Sequence, residues 1–291
     1  MFRRQARLRA EYIYRKTVEK KQRIEDEKRR RVRSAIEDNR PIPTELRKDA
    51  INLQKEAQWG GRLFYDEYRW AGTADPKIVI TTSRLPSATL KVFAKEMRLM
   101  FPNAQRMNRG HYDIKHLIEA CRANDVTDVI VLQETLGKPD CMIVCHLPLG
   151  PTAYFNISNV VMRHDTPGKI PVSEEYPHLL FFNLTTNLGK RVTNILKYLY
   201  PVPKPTSRRI ITFSNEEDFI SFRHHTYRKG ETGEIELTEI GPRFELMPFR
   251  IILGTLEQLG VAQVEWELKS FLNTASKRQL LALPAEEEDE E

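Results

Sequence analysis

The chain repeats itself, and that constrains its fold more than any other feature. A short apolar run, a hydroxyl-rich turn, a helical stretch stopped by proline, further strands and a Gly-Pro step before a last strand occur twice in the same order. In the first copy Ile78, Val79 and Ile80 are β-branched and predict a strand. Thr81, Thr82, Ser83 and Arg84 follow as the turn. Ser87 can cap a helix from Ala88, with Leu90, Phe93, Ala94, Met97, Met100 and Phe101 on one face and Pro102 as its stop. In the second copy 178–182 is the strand and Thr185, Thr186 and Asn187 the turn. The helix over 189–200 turns Val192, Ile195, Leu196 and Leu199 inward, and Pro201 ends it.

The rest of each copy follows suit. The first predicts a helix over 111–124, with Ile114, Leu117, Ile118 and Cys121 inside. Strands over 128–132 and 142–147 flank a turn at 137–140, and Gly150-Pro151 precedes a strand over 153–161. The second predicts strands over 209–213 and 219–228, a hairpin turn at 229–233, and Gly241-Pro242 before a long strand over 243–253; a strand over 261–268 closes the pattern. Helices interleaved with strands give an α/β fold of two tandem pseudo-repeated halves. We divide the chain into a basic helical arm (1–60), a connecting segment (61–76), the first half (77–165), a Pro-rich linker (166–177), the second half (178–270) and a tail with an acidic end (271–291).

The arm has a different character. Residues 2–38 contain no Gly or Pro and predict extended helix, yet Leu8, Tyr12, Val18, Ile24, Val32 and Ile36 hold no single face. Such a helix is either solvated or lies along another surface. Residues 1–40 carry 15 Lys or Arg against 7 Asp or Glu. Arg3, Arg4, Arg7 and Arg9, with Lys28, Arg29, Arg30, Arg31 and Arg33, suit a phosphate backbone or a nuclear address. Past the break at Pro41 and Pro43, Thr44 can cap a second helix with Leu46, Ala50, Leu53 and Ala57 in a stripe. The last six residues, 286–291, are all acidic, so the net charge of +6 becomes +12 without them. A basic body points to a polyanionic partner.

Catalytic and metal chemistry find little support. There is no phosphate-binding GxxxxGK[ST] or GxGxxG loop and no acidic cluster spaced for two metals. The three cysteines, Cys121, Cys141 and Cys145, are an odd number and fit a reducing compartment, with Cys141 and Cys145 in the core. No apolar run approaches the ~20 residues that cross a bilayer.

Basic residues in turns and at helix starts are the candidates for binding a polyanion such as nucleic acid, because they are not explained as core. In the first half these are Arg84, Lys91, Arg106 and Arg109, with Thr82 and Ser83 beside the first helix start as an anion cradle. In the second half they are Lys190, Arg191, Arg208, Arg209, Arg223, His225 and Arg228. Along 222–228, Arg223, His225 and Tyr227 share one strand face, which suits phosphate contact with base stacking. Arg243 can contact RNA or pair with Glu239 or Glu245.

These residues carry a resemblance. ITTSRLPS with its following LKVFAKE helix, the repeated Gly-Pro and GPRFELMPFRI together resemble a Brix domain over 77–270. MFRRQARLRAEYIYRK, RPIPTELR, DEYRWAG, FPNAQRMNRG and FRHHTYRK are similar to the family member of the small-subunit processome. The resemblance implies two halves like the anticodon-binding domain of some aminoacyl-tRNA synthetases, behind extended N-terminal helices. It implies binding to U3 small nucleolar RNA and to pre-rRNA (the 5′ external transcribed spacer and 18S region) in the nucleolus. The implied role is early pre-18S processing and 40S biogenesis, with no catalysis, cofactor, metal, membrane or small-molecule substrate. The implied protein partners are the S4-like Imp-three protein and the phosphoprotein scaffold Mpp-ten. A second possibility is a protein scaffold whose RNA contacts are limited to the arm.

Overall fold

The computed structural model describes residues 2–37, 42–48, 67–68, 71–166, 171–229, 234–269 and 280–282. They belong to two compact units, Met1–Ala74 and Asp75–Glu291.

In the first unit α1 (Phe2–Glu37) runs for 36 residues, as the lack of Gly and Pro dictates. Pairs one turn apart line its surface: Arg15 with Glu11 at 2.7 Å, Lys16 with Glu19 at 2.8 Å, Arg31 with Glu27 at 2.5 Å. The helix is not wholly without burial, contrary to the expectation from its stripe. Val32 packs with Ile42 and Leu46, and all three are buried. Its apolar partners lie within and past the Pro41–Pro43 break, where helical periodicity cannot register them. Thr44 is not a cap: the 3-10 turn Thr44–Leu46 starts from Pro43 and has no side-chain cap bond. Ala50, Leu53 and Ala57, the side chains of Arg3, Arg4, Arg7, Arg9 and Arg33, the turn at 230–233 and the acidic end lie outside the described residues.

The second unit is built on one sheet. Its elements in chain order are β1 (Ile78–Thr82), α2 (Ala88–Met100), β2 (Gln105–Arg106), α3 (Ile114–Ala123), β3 (Asp128–Thr135), β4 (Lys138–His146), β5 (Thr152–Val161), β6 (His178–Phe182), α4 (Asn187–Lys197), β7 (Arg209–Glu216), β8 (Phe219–Lys229), β9 (Ile235–Glu239), β10 (Arg243–Leu253) and β11 (Gln263–Glu267). The strand order is β2-β1-β3-β4-β5-β10-β8-β7-β6, with β11 added to β10 and β9 to β8. Apart from β2, which adds to one end, the order from β1 to β6 reads the same from either end: β1 is parallel to β3 as β6 is to β7, and every step from β3 to β7 is antiparallel. The predicted duplication is therefore a pseudo-twofold about the β5–β10 seam. The offset is 99 residues from one helix cap to the next proline: Ser87 and Thr186, Phe101 and Tyr200, Pro102 and Pro201.

Both Gly-Pro steps behave alike. Gly150 and Gly241 have positive φ and precede cis prolines at the entries to β5 and β10. A Cβ on Gly150 would meet the Gly254 carbonyl oxygen at 2.7 Å, so only glycine fits there. Two short strands were not expected: β2 and β9.

Helices α2 and α4 cover one sheet face. Phe93 of α2 meets Phe244 of β10 edge-on at 5.7 Å; Phe244 stacks on Phe222, Phe222 meets Phe213, and Phe213 stacks on Phe181. This ribbon of rings carries the core of the first half into the second. Arg209 fastens the same junction. It is 3% exposed and donates to the carbonyls of Leu99 (2.7 Å) and Met100 (3.3 Å) at the end of α2. It also donates to the Ser173 and Glu175 carbonyls and to His224 Nε2 at 2.9 Å. His224 Nδ1 lies 2.8 Å from the Gly241 carbonyl, which fixes the tautomer with its proton on Nδ1. Burial first, and then Arg209, pushes His224 down to about 3.

Among the described residues, helix covers the opposite face in the first half only. There α3 and the turn Leu256–Gln258 seal Val79, Val129, Val131, Cys141, Ile143 and Cys145. All three cysteines are buried and free, as expected, and burial pushes the Cys141 thiol up to about 11.

Candidate nucleic-acid interface

The candidate cradle at the first helix start is already filled. Thr81 and Thr82 are the last residues of β1 and both are buried, so neither hydroxyl belongs to a turn. Thr82 Oγ1 donates to the Ser83 carbonyl. Ser87 caps α2, its Oγ accepting from Leu90 N–H at 3.1 Å. The Glu134 carboxylate then takes the Ser87 N–H at 2.8 Å and the Ser87 hydroxyl proton. A carboxylate from β3 thus occupies the place an anion would take. Thr82 is withdrawn from the binding surface, and Ser83 is half-buried with its Oγ covered and without a hydrogen-bond partner.

The basic residues next to it form a different arrangement. Arg84 turns away from the helix start and donates to Asp113 Oδ1 at 2.6 Å, with both side chains more than half exposed. Arg109 comes to the same place from the β2–α3 loop. Burial, and then the neighbouring Arg84 charge, lowers its pKa, while Asp113 opposes. Its Nε is buried without a hydrogen-bond partner. Asp113 is bonded to Arg84 alone, so the second guanidinium nearby leaves a net positive charge and an unused donor. Exposed Arg106 stands on β2, directly opposite Ile80. Tyr112 is 69% exposed in the tight turn closed by its N–H to the Arg109 carbonyl. Arg84 follows the carboxyl end of β1, where open parallel sheets receive ligands, while Arg106 stands alongside the strand itself.

The second half repeats the theme weakly. Thr186 caps α4, accepting from Gly189 N–H at 3.0 Å. The chain's own residues 280–281 cross this helix start: Thr186 Oγ1 donates to the Leu280 carbonyl at 2.8 Å and Thr186 N–H to that of Leu281. Lys190 is exposed, in the position on α4 that exposed Lys91 holds on α2. Arg191 is mostly covered and donates to Glu265 at 3.0 Å. Arg208 and Arg228 are exposed. Arg209 is the buried junction residue described above, and its selection as an RNA contact is corrected. A buried Arg and an exposed one look alike in sequence, since the carbonyls that hold it leave no mark there. Arg223 and His225 share a half-buried strand face, as alternation predicts; burial lowers His225 while Glu239 opposes. Arg243 pairs with Glu239 at 3.4 Å, one of its two expected acids.

The structure so gathers Arg84, Arg106 and Arg109 at one edge. Asp113, Glu134 and Tyr112 were missed. The two acids are invisible because their partners lie 29 and 47 residues away. Tyr112 carried a usable signal, a lone aromatic inside a basic polar loop.

Known proteins resolve the class first. The Brix domain family description matches residues 83–250, and the chain belongs to that family. Full-length relatives then narrow it. The chain is 59% identical over 292 aligned residues to the Brix domain-containing protein ZK795.3 of Caenorhabditis elegans, covering all of both chains. It is 54% identical to the U3 small nucleolar ribonucleoprotein protein IMP4 of Homo sapiens, over 97% of this chain and 99% of that one. The crystal structure of a probable ribosomal biogenesis protein from Aeropyrum pernix K1 shares 16% identity with a TM-score of 0.47, covering 67% of this chain and 99% of that one.

Proposed function

We propose that the chain is an RNA-binding assembly factor of the small-subunit processome. It binds U3 small nucleolar RNA and pre-rRNA in the nucleolus and supports early pre-18S processing and 40S biogenesis. The Arg84–Arg109 pair carries this reading: two neighbouring guanidiniums of which only Arg84 is bonded to a carboxylate, with a spare buried donor on Arg109, near exposed Tyr112 in the same loop. The near full-length relatives named as U3 ribonucleoprotein proteins support it. The protein works by positioning. Phosphate contacts from Arg84, Arg106, Arg109, Lys91 and Lys190 hold the RNA, while Arg208, Arg223, His225, Arg228 and Arg243 are secondary contacts. Imp-three and Mpp-ten are its expected protein partners, and we assign it no catalytic step.

The test is affinity for U3 RNA and for the pre-rRNA leader across a salt series, with the intact chain and with Arg84→Glu/Arg109→Glu. The intact chain should bind more weakly as salt rises, and the double variant should flatten the log–log slope by about 2, roughly one per lost phosphate contact. An unchanged slope removes this edge from the interface. The second reading, a protein scaffold with RNA held by the arm, draws on α1, whose described side chains are nearly all exposed. It predicts that residues 75–291 alone bind no RNA.

A further inference from the structure

Corresponding turns of the two halves differ in chemistry. Strands β3 and β7 each have eight residues, start 81 positions apart, and run into a two-residue turn before β4 and β8. In the second half that turn is Glu217-Asp218. Both residues are polar, and the chain itself covers the Asp218 carboxylate, which accepts from the Leu280 and Leu281 N–H groups at 2.8 and 2.9 Å. In the first half the turn is Leu136-Gly137, and Leu136 is 99% exposed.

Leucine is unfavourable at this position twice over. The φ of Leu136 is +53° and that of Gly137 +78°, the left-handed pair of a type I′ hairpin. Such a turn takes Asn, Asp or Gly first, because a bulky side chain at positive φ crowds the backbone. Seven non-glycine residues among those described have positive φ: six are Asn, Asp or Glu, and Leu136 is the seventh. An Asn at 136 would serve folding better. A leucine held both in strain and in water points to something it touches.

The turn is firmly placed. Thr135 Oγ1 donates to Asp140 Oδ2 across it at 2.9 Å, and two residues before Leu136 the Glu134 carboxylate is bonded to Ser87 at the start of α2. The same bonds set the tip beside the loop that carries Leu85, which is 86% exposed, and Arg84. Exposed Lys138 follows the turn. The nearby acids are engaged, Asp140 with Thr135 and Asp113 with Arg84.

We infer that Leu136 is a wedge that inserts between two stacked bases of the bound RNA, where a helix meets a single strand, while Arg84 and Arg109 hold the flanking phosphates. The inference rests on the RNA reading above. A tip two residues wide is narrow enough to enter a base step, and an aliphatic side chain there replaces the stacking it breaks. Unstacking costs least where the stack already ends, which selects the junction. The cations beside the tip favour a polyanion over an apolar pocket on a protein.

The test uses the full chain and a short RNA stem–loop with 2-aminopurine at the last pair of the stem, whose fluorescence rises when that base is unstacked. The wild-type chain should bind and raise the fluorescence severalfold. Leu136→Asn should melt at the same or a higher temperature, bind about tenfold more weakly and leave the fluorescence unchanged. Its salt slope should stay that of wild type, since no phosphate contact is lost. Leu136→Met should retain both the affinity and the signal. A Leu136→Asn chain that binds and unstacks like wild type overturns the inference. So does one that melts lower, because the leucine would then be serving the fold. A photoreactive residue at 136 that cross-links in cells to a protein segment instead of RNA overturns it as well. The RNA reading fails differently, by an unchanged slope for Arg84→Glu/Arg109→Glu or by no binding at all, whereas the wedge alone fails with salt-dependent binding intact.

Discussion

Removing the Arg209 guanidinium tests how the halves are joined. Arg209→Met keeps most of the volume and deletes every donor. The wild-type group gives five hydrogen bonds, two of them to the Leu99 and Met100 carbonyls, which end α2 and have no onward helical partner. Each buried carbonyl left unpaired costs about 1–3 kcal/mol. Against this, the substitution removes a buried charge that has no carboxylate beside it, which is why burial pulls Arg209 itself down to about 10. Weighing these, we expect a net loss of about 3 kcal/mol, within the range for breaking a buried network. In a folded unit of about 200 residues that lowers Tm by roughly 6–12 °C. Arg209→Lys, a single compact charge that cannot fork to both elements, should lose about half as much. Thermal unfolding by circular dichroism, with a urea midpoint as a second measure, reads both. A shift below about 1 kcal/mol for Arg209→Met would show that the end of α2 finds other donors, and the account of the junction would fall.

Other outcomes follow from described contacts. His224 is depressed when folded, so between about pH 6.5 and 3 the unfolded chain binds a proton the folded one refuses; stability should fall with pH in that window by up to ~1.4 kcal/mol per unit, and His224→Gln should flatten the slope in denaturant titrations. Gly189→Ala improves helix propensity, yet its Cβ would stand 2.6 Å from the Leu281 carbonyl oxygen and 2.9 Å from Leu184 carbonyl carbon, so we expect a loss of about 1–3 kcal/mol and faster hydrogen exchange at Leu281. Ser87→Ala removes a cap and both deprives Glu134 of a donor and leaves it half-buried, at about 2 kcal/mol by urea denaturation; a neutral result would mean the carboxylate is hydrated there. Cys141 should react with a thiol reagent at pH 8 far more slowly than free cysteine, its thiolate being suppressed by burial.

The sequence made local periodicity legible. Val192, Ile195 and Leu196 marked α4, and the strand expected after Gly241-Pro242, Arg243 to Leu253, is β10 with the same ends. The duplication was visible because two Gly-Pro steps and two proline stops recur. What stayed hidden needs contacts across the fold. Glu134 filling the start of α2, Arg209 holding the end of α2 from the other half, and Leu281 crossing α4 each join residues tens of positions apart. A basic residue in a turn is a fair candidate for a polyanion, but whether its charge is spent on carbonyls or left to solvent is settled only in space. That is why Arg84 and Arg109 gained weight while Arg209 lost it.

The β5–β10 seam has a consequence for ancestry. Its two strands run antiparallel across the pseudo-axis, Arg243 opposite Val161 and Ile252 opposite Thr152, so each half offers the other the same edge. An edge that pairs with a copy of itself is an isologous interface. The unduplicated forebear of this chain would have been a homodimer, with the strand at that edge pairing to its twin. On that history fusion made the partner permanent and freed the halves to diverge, and among the described residues only the first half carries a second helix. A present-day descendant of that state can be made: residues 75–165 expressed alone should sediment as a dimer, while a monomer would speak against this history.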